Sequence, residues 1–275
     1  MGLGFVSTAL LPGSTFGVLL RQWRAARGLS QLGLSAATGV STRHLSFLET
    51  GRAQPTRQIT VFLAERLDIP LRDRNEFLLS AGFAPVYGDR DLGDPAMAAV
   101  RESIARLLAA HEPYPALVMD SSWTRLMAND GTRSLLGGVA PFLLEEPVNV
   151  LRLTLHPEGM APRIVNLAEW SRHLLRHLRR RIAQTGRGDL ASLYDELAGY
   201  PGIAEWPAPA ETADSPGEAD PPVVVPLEYR TPRGVLRLLN TTTSFGAALD
   251  VTLSEIVIES FYPADEPTRL ALLRP

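Results

Sequence analysis

Two short helical segments joined by a glycine turn, between Ser30 and Gly51, restrict the fold of this chain more than any other feature. Ser30 is a good N-cap because its hydroxyl accepts an otherwise unpaired backbone N–H, and Gln31 begins the helix that follows. Gly39 can end that helix in a left-handed turn without strain, Ser41 caps the second helix, and Gly51 closes it. The apolar seam between the helices is predicted to comprise Leu32, Ala36, Ala37, Val40, Leu45 and Leu48. This pattern predicts a helix-turn-helix unit that fits the major groove of DNA.

The same segment resembles the Xre/Cro-like repressors, which carry a short set of residues at fixed spacing. The matching residues are Ser30-Gln31, Gly39-Val40-Ser41, Leu48-Glu49-Thr50-Gly51-Arg52 and Pro55. The agreement of caps, core positions and spacing makes the resemblance specific, and it extends over residues 16–83. It implies an all-α N-terminal domain that binds double-stranded operator DNA.

The resemblance also implies which side chains touch DNA. Gln31 would contact phosphate, Thr42, Arg43 and Phe47 would enter the major groove, and Arg52 would lie near the backbone. Arg43 can bind guanine O6 and N7 together, and Phe47 can touch a thymine methyl group. Packing of Phe47 within the bundle or against a partner stays an open alternative, because related proteins usually place a polar or basic residue here. The predicted DNA-binding residues are Gln31, Ser41, Thr42, Arg43, Ser46, Phe47, Thr50 and Arg52.

The distribution of charge supports a nucleic-acid partner for this segment. Residues 16–83 contain nine arginines and five acidic residues, whereas the rest of the chain contains eighteen arginines and twenty-five acidic residues. A basic segment on an otherwise acidic chain is typical of one domain that meets phosphate and another that does not.

Length and composition favour two domains and exclude several classes of protein. A chain of 275 residues, of which 45% are hydrophobic, can bury a core in each domain. The absence of cysteine excludes disulfides, thiolate metal sites and cysteine nucleophiles. No apolar run reaches the ~18 residues of a membrane-spanning helix, and the first residues lack the basic start of a signal peptide. We therefore expect a cytoplasmic protein without membrane contact or cofactor.

The remainder of the chain predicts a linker and then an α+β domain. Residues 84–95 are rich in Gly, Pro and Asp and form the predicted linker, while a proline-rich loop occupies 201–222. Asp94 and Pro95 begin a predicted helix that extends to about Ala110. The later predicted elements are strands at 115–120 and 123–128, a short helix from Asn129, a strand or short helix from Val148, a long helix from Asn166 to Gln184, a helix at 189–198, and strands at 223–230, 235–243 and 251–262.

Residues 115–129 resemble the start of a PAS-type sensor domain, with two strands leading into a helix headed by Asn129. Together with Trp170 and the closing segment 251–265, they make the chain similar to the MmyB-like regulators, in which an Xre-type head precedes a PAS-like domain. This resemblance implies an α+β fold in which residues 96–270 form a PAS-like antiparallel sheet with flanking helices. It further implies that this domain binds a small apolar or amphipathic ligand, and the family suggests a fatty acid.

A ligand pocket and an ordinary filled core would use the same apolar side chains, so the sequence leaves both interpretations open. Ligands favour apolar pockets that contain a few polar groups. The predicted ligand-binding residues are Met119, Trp123, Leu126, Trp170, Leu238, Ile256 and Ile258.

The long helix also carries His173 and His177, four residues apart, with Glu169 one turn earlier. This spacing suits a metal, but there is no third histidine nearby and no cysteine, so we expect a solvated face and no metal site. The same helix carries a group of arginines that is usually a wet surface and could instead hold an anionic head group or a subunit partner. The arginines are Arg172, Arg176, Arg179, Arg180 and Arg181.

Three functions compete for this chain. The leading interpretation is a one-component transcription regulator that binds operator DNA as a homodimer and senses a small ligand. The second is a DNA-binding protein whose C-terminal domain only mediates dimerisation or protein interaction. An enzyme tethered to DNA ranks last, because no nucleophile and base can be paired in the sequence.

Overall fold

The helix-turn-helix segment folds as part of a five-helix bundle with its own apolar core. The computed structural model describes residues 15–203, 224–246 and 248–273. The helices of the bundle are α1 (Phe16–Ala26), α2 (Gln31–Thr38), α3 (Thr42–Glu49), α4 (Arg57–Arg66) and α5 (Leu71–Ser80). Its buried core comprises Phe16, Leu19, Leu20, Trp23, Leu34, Leu45, Leu48, Leu63, Ala64, Leu67, Ile69 and Phe77. The predicted all-α head is therefore confirmed.

The predicted apolar seam of α2 is wrong, although that of α3 is correct. Leu45 and Leu48 are buried, but Leu32 is 71% exposed, and Ala36 and Ala37 are exposed as well. Leu34, which the seam omitted, is only 1% exposed. Because residues two apart on an α-helix lie on nearly opposite faces, burial of Leu34 turns Leu32 and Ala36 outward.

The described chain divides into two compact units. One contains the bundle together with the described residues up to Asp91, 182–188 and 248–254, and the other contains the remaining described residues. In the second unit, a 3₁₀ turn at Pro95–Met97 leads into the first helix, and the side chain of Asp94 accepts a hydrogen bond from the backbone N–H of Ala96 at 2.7 Å. The predicted Asp-Pro helix start is therefore present.

The described residues that follow the bundle form five strands and seven α-helices. The strands are β1 (Ala116–Met119), β2 (Arg125–Ala128), β3 (Leu227–Thr231), β4 (Gly234–Ser244) and β5 (Val257–Pro263). The helices are α6 (Ala98–Ala110), α7 (Asp130–Arg133), α8 (Val150–Leu155), α9 (Leu167–Thr185), α10 (Gly188–Ala198), α11 (Val251–Glu255) and α12 (Glu266–Leu273). No helix of the described residues combines the length and the apolar character needed to cross a membrane.

The five strands form one antiparallel sheet in the order β2-β1-β5-β4-β3. One face of this sheet carries Leu117 and Met119 of β1, Leu236 and Leu238 of β4, and Phe261 of β5, all of which belong to one buried apolar cluster. We call it the covered face. Trp170 of α9 and apolar residues from the segment 135–164 complete the cluster over this face. The α+β fold class with a C-terminal antiparallel sheet is therefore confirmed.

Three other predicted segments compare with the structure as follows: one is partly wrong, one open choice is settled, and one lies almost entirely outside the described residues. The strand predicted at 251–262 is wrong in its first half, because Val251–Glu255 is the helix α11 and pairing begins only at Val257. The open choice at Val148 is resolved in favour of a helix, α8, whose start is capped by Asn149. The proline-rich loop at 201–222 lies almost entirely outside the described residues.

Candidate nucleic-acid interface and ligand site

The two helices of the recognition unit are capped as the sequence predicts. Ser30 Oγ accepts a hydrogen bond from the backbone N–H of Gly33 at 2.9 Å, and Ser41 Oγ accepts one from His44 at 3.2 Å. Gly39 has φ +74° in the turn between them. Because the left-handed conformation is strained for residues with a Cβ atom, glycine fixes this turn at low cost. The caps and the turn therefore fix the angle between α2 and α3.

Helix α3 is attached to the bundle along one side and presents its other side outward. Leu45 and Leu48 point into the head core. Ser41, Arg43, Thr50 and Arg52 are exposed, and the other predicted contacts are half-buried. These half-buried residues are Gln31, Thr42, Ser46 and Phe47. The outward side of α3 and the residues that follow the helix thus offer hydroxyls, one aromatic ring and two guanidinium groups.

Arg43 and Phe47 lie together on α3, one turn apart. The Arg43 guanidinium carbon is 5.4 Å from the centre of the Phe47 ring, a cation–π arrangement. Phe47 lies outside the buried core of the head. The alternative in which Phe47 packs inside the bundle is therefore not what the structure shows, and its ring instead supports Arg43.

Arg43 and Arg52 keep their charges available. Among the described residues neither forms an ion pair, whereas other arginines of the head bind protein acceptors. Arg27, for example, donates to the backbone oxygen of Leu67 at 2.8 Å and to that of Asp68 at 2.7 Å. A guanidinium without a carboxylate partner can bind phosphate or a guanine edge without first breaking an ion pair.

A buried carboxylate, Glu49, joins three helices of the head. Its side chain accepts hydrogen bonds from Arg24 Nε at 2.6 Å and from Gln31 Nε2 at 2.8 Å, and Arg21 lies 3.6 Å away. Burial by itself raises the pKa of Glu49, but the hydrogen bonds from Arg24 and Gln31 and the nearby positive charges outweigh it, so the pKa is lowered. The sequence analysis missed this network, although Glu49 stood in the motif, because ion-pair partners 25 residues apart leave no local signal.

The hydrogen bond from Gln31 to Glu49 limits the phosphate contact that the sequence predicts for Gln31. Its side-chain amide already donates to Glu49, so the amide nitrogen holds the start of α2 against the end of α3. Contact of Gln31 with phosphate stays a prediction, and it would have to use the second N–H of the side-chain amide, since one N–H already donates to Glu49.

In the second unit, four of the seven predicted ligand residues lie in one cluster. Met119, Trp170 and Leu238 belong to the buried cluster on the covered face, and Trp123 packs against it. Asn166 positions Trp170 by joining α9 to β3, since its side chain accepts a hydrogen bond from the backbone N–H of Glu228 at 3.0 Å and donates one to Pro226 at 2.8 Å.

The other three predicted ligand residues lie outside that cluster. Leu126 is 36% exposed on the edge strand β2. Ile258 is paired with Val118 and points to the opposite face of the sheet, and Ile256 lies between α11 and β5. Because successive strand residues alternate sides, Ile258 cannot line the same side of the sheet as Met119.

The two histidines on α9 are in ring contact with each other. The centres of the His173 and His177 rings are 4.6 Å apart, and His173 stacks on Trp170 at 5.5 Å. Partial burial is the first cause of a lowered pKa at both histidines, and the charge of Arg176 contributes further. Among the described residues, no group of three or more His, Cys, Asp or Glu side chains could hold a metal ion.

A helix-turn-helix head and an α+β domain built on a five-stranded antiparallel sheet together define a DNA-binding transcription regulator with a separate ligand-binding domain. Residues 15–77 match the model of a helix-turn-helix domain, and residues 100–274 match that of the MmyB-like transcription regulator ligand binding domain. The chain belongs to this MmyB-like family.

A solved structure is also similar to part of this chain. The crystal structure of the clp gene regulator ClgR from Corynebacterium glutamicum is 28% identical over 36% of this chain and 90% of its own. The TM-score of the pair is 0.22. No curated protein sequence matches the chain.

Proposed function

We propose that this protein is a one-component, Xre-type regulator that reads operator DNA through α3 and changes its DNA binding when its C-terminal domain binds a small apolar or amphipathic molecule. Residues 16–83 are the DNA-binding domain, 84–95 the linker and 96–270 the ligand-binding domain. The protein acts in the cytoplasm as a homodimer and carries out no catalytic step.

The main support for the DNA-binding part of the proposed function is the exposed side of α3. Buried Leu45 and Leu48 hold the helix from one side, while Arg43 and Arg52 are exposed and form no ion pair with any residue in the described part of the chain. Arginine is the side chain that binds guanine most specifically in the major groove, and exposed charge attracts the DNA backbone.

A selection from random duplexes tests this half. Wild-type protein should enrich one sequence with two related half-sites, because a dimer places two α3 helices about one helical turn of DNA apart. The Arg43→Ala variant should bind that sequence more weakly and discriminate less at the base pair that Arg43 reads. Failure of wild type to enrich any sequence contradicts the proposal.

The ligand-binding half is supported by family membership and by the apolar cluster on the covered face. Fatty acids are the first compounds to screen, because the family resemblance suggests them. A ligand that binds only the folded protein should stabilise it by about 2.7 kcal/mol at a hundredfold excess over its Kd. The screen is thermal unfolding of the full chain, together with mass spectrometry of molecules retained through purification.

A second function for the C-terminal domain has one observation in its favour. Trp170 and Leu238 are almost completely buried, as residues of a filled core would be. If no compound shifts the melting temperature and nothing apolar is retained, the domain is a dimerisation module.

A further inference from the structure

A half-buried guanidinium group lies beside the apolar cluster of the covered face. The guanidinium carbon of Arg163 is 5.9 Å from the centre of the Tyr229 ring, a cation–π arrangement. Tyr229 of β3 is completely buried and belongs to the cluster, and so does Ile164, the residue that follows Arg163. A positive charge is thus placed next to the side chains that the proposed ligand would touch.

The protein offers this guanidinium group no acceptor in the part of the chain that the structure describes. Arg163 forms no ion pair there, and its side chain donates no hydrogen bond. Other half-buried arginines of the same unit donate to protein oxygens, Arg101 to the backbone of Leu92 at 3.0 Å and Arg125 to Glu146 at 2.6 Å. Because partial burial of a charge without a partner is unfavourable, the donors of Arg163 are suited to an anionic acceptor that a ligand brings.

Tyr229 does not need the guanidinium group for its own polar atom. The Tyr229 hydroxyl donates to the backbone oxygen of Leu135 at 2.6 Å, so this buried group already has a partner. Arg163 therefore meets Tyr229 only over the ring. A ring contact restricts the guanidinium group and occupies no hydrogen-bond acceptor, so the five N–H donors of Arg163 remain available.

A glycine turn lies against the same guanidinium group. A Cβ atom at Gly138 would lie 2.5 Å from Arg163 Nη2, and one at Gly137 would lie 3.8 Å from Nη1. Both glycines are exposed, whereas Leu135 and Val139 on either side of them are buried in the apolar cluster. The backbone N–H groups of the two glycines have no acceptor among the described residues. The edge of the cluster thus combines apolar side chains on the inside with several donors on the outside.

We propose that Arg163 and the adjacent glycine turn bind the head group of the ligand, and that they select an apolar molecule with an anionic oxygen head over one with an uncharged head. The inference rests on the proposed ligand-binding function and specifies the ligand class. A guanidinium group can form two parallel hydrogen bonds to one carboxylate or phosphate, and such charge-assisted bonds are about twice as strong as neutral ones. An uncharged hydroxyl offers one acceptor oxygen and no opposite charge, so it gains less from the same donors.

Calorimetric titration of the full chain with dodecanoate and with dodecanol tests this inference, because the two probes differ only in the head group. Wild type should bind dodecanoate at least about tenfold more tightly than dodecanol at neutral pH, a difference of about 1.4 kcal/mol. Arg163→Gln removes the charge and keeps a polar side chain. This variant should bind dodecanol about as well as wild type and lose most of the preference for dodecanoate.

Two further variants keep the test decisive. Arg230→Gln removes an exposed arginine from the position after Tyr229, on the opposite face of the sheet, and should leave the ratio of the two affinities unchanged. If Arg163→Gln does not fold, Gly138→Ala keeps the charge and displaces the guanidinium group, since the added methyl group would lie 2.5 Å from Nη2. Gly138→Ala should then reduce the preference for dodecanoate several-fold.

Three results would overturn the inference. If Arg163→Gln keeps the wild-type preference for dodecanoate, or loses no more of it than Arg230→Gln does, the anionic head is not bound by Arg163, while the ligand-binding function stands. If wild type binds dodecanol as tightly as dodecanoate, the site does not select charge, and the ligand-binding function again stands. If neither compound binds, the inference fails, and the melting screen then decides the ligand-binding function separately.

Discussion

At the scale of single residues, Arg43 and Arg52 differ in their surroundings, and this difference separates two kinds of DNA contact. Arg43 lies on α3 with its guanidinium against the Phe47 ring, which restricts the conformations of the group. Arg52 follows the glycine that ends α3, and its backbone N–H bonds to the carbonyl oxygen of Phe47 at 2.8 Å. The first arrangement suits base recognition, and the second suits contact with phosphate.

The Arg43→Ala substitution should therefore weaken binding to the selected duplex by about 1–3 kcal/mol, with little effect on an unrelated duplex. Arg52→Ala should weaken binding to both duplexes alike and lower the salt dependence by about one phosphate contact. Fluorescence anisotropy at several salt concentrations measures both effects. Equal losses on both duplexes for Arg43→Ala would refute its role in base recognition.

The lowered pKa of Glu49 predicts how the stability of the head depends on pH. Because its pKa in the folded protein is lowered, the stability it provides is fully present above the pKa of the unfolded chain, about 4.3, and is lost as pH falls through the lower folded value. Glu49→Gln should destabilise the head by about 3 kcal/mol at neutral pH, since it leaves Arg24 largely buried without a carboxylate.

Urea unfolding of wild type and variant, followed by helical circular dichroism, tests this prediction over a pH series. The difference in unfolding free energy should shrink as the solution is acidified below about pH 4. Glu65→Gln, an exposed charge removal on α4, should change stability little at any pH. A gap between wild type and Glu49→Gln that stays constant with pH would argue against the ion-pair network.

At the scale of elements, α1 and α3 approach so closely that only glycine fits between them. A Cβ atom at Gly17 would lie 2.6 Å from the backbone oxygens of Leu48 and Glu49, which end α3. Real Cβ atoms do not approach so near, and the obstacle is backbone, so one helix would have to move. The position of α3 relative to the bundle therefore depends on this glycine.

Gly17→Ala should destabilise the head by about 1–3 kcal/mol and weaken DNA binding, because α3 is displaced. Gly33 on α2 is the matched control, since among the described residues a Cβ there would meet Ser30 Oγ at 3.5 Å and Leu29 Cδ2 at 3.6 Å and nothing closer. Gly33→Ala should instead stabilise the helix by about 0.5–1 kcal/mol. Chemical unfolding measures the change in unfolding free energy for both variants. Equal changes would contradict the close approach of α1 and α3 at Gly17.

The elements that local chemistry determines could be predicted from the sequence. Ser30, Gly39 and Ser41 act through neighbours within four residues, so the caps and the turn of the recognition unit are all present. The β1–β2 hairpin and the helix capped by Asn129 follow the same logic, with Asn129 Oδ1 accepting from Thr132 at 3.2 Å.

The features that could not be predicted from the sequence depend on tertiary packing. The outward face of α2 depends on Leu34 finding the core, and the short helix α11 interrupts a run that alternates like a strand. The face of Ile258 could not be predicted either, because it depends on the register that pairs Ile258 with Val118 of β1. The burial of Glu259 was also not predicted, and its one local signal is that the residues two positions before and after it, Val257 and Phe261, are apolar.

At the scale of the whole molecule, the proposed regulator should be a homodimer. One helix-turn-helix reads only a few base pairs, so two copies on a two-fold site are needed for useful specificity. Sedimentation equilibrium of the full chain at micromolar concentration should give twice the mass of the chain. A monomer both free and bound to DNA would exclude the dimer, and with it the two related half-sites.

The central claim is that the head reads a DNA sequence, and the most direct measurement compares equilibrium affinities for two duplexes. The full chain is titrated with the selected duplex and with a scrambled duplex of the same composition over a range of salt concentrations. We predict that the selected duplex binds at least about a thousandfold more tightly, and that both affinities fall linearly with salt on logarithmic axes. Equal affinity for both duplexes, independent of salt, would contradict the account.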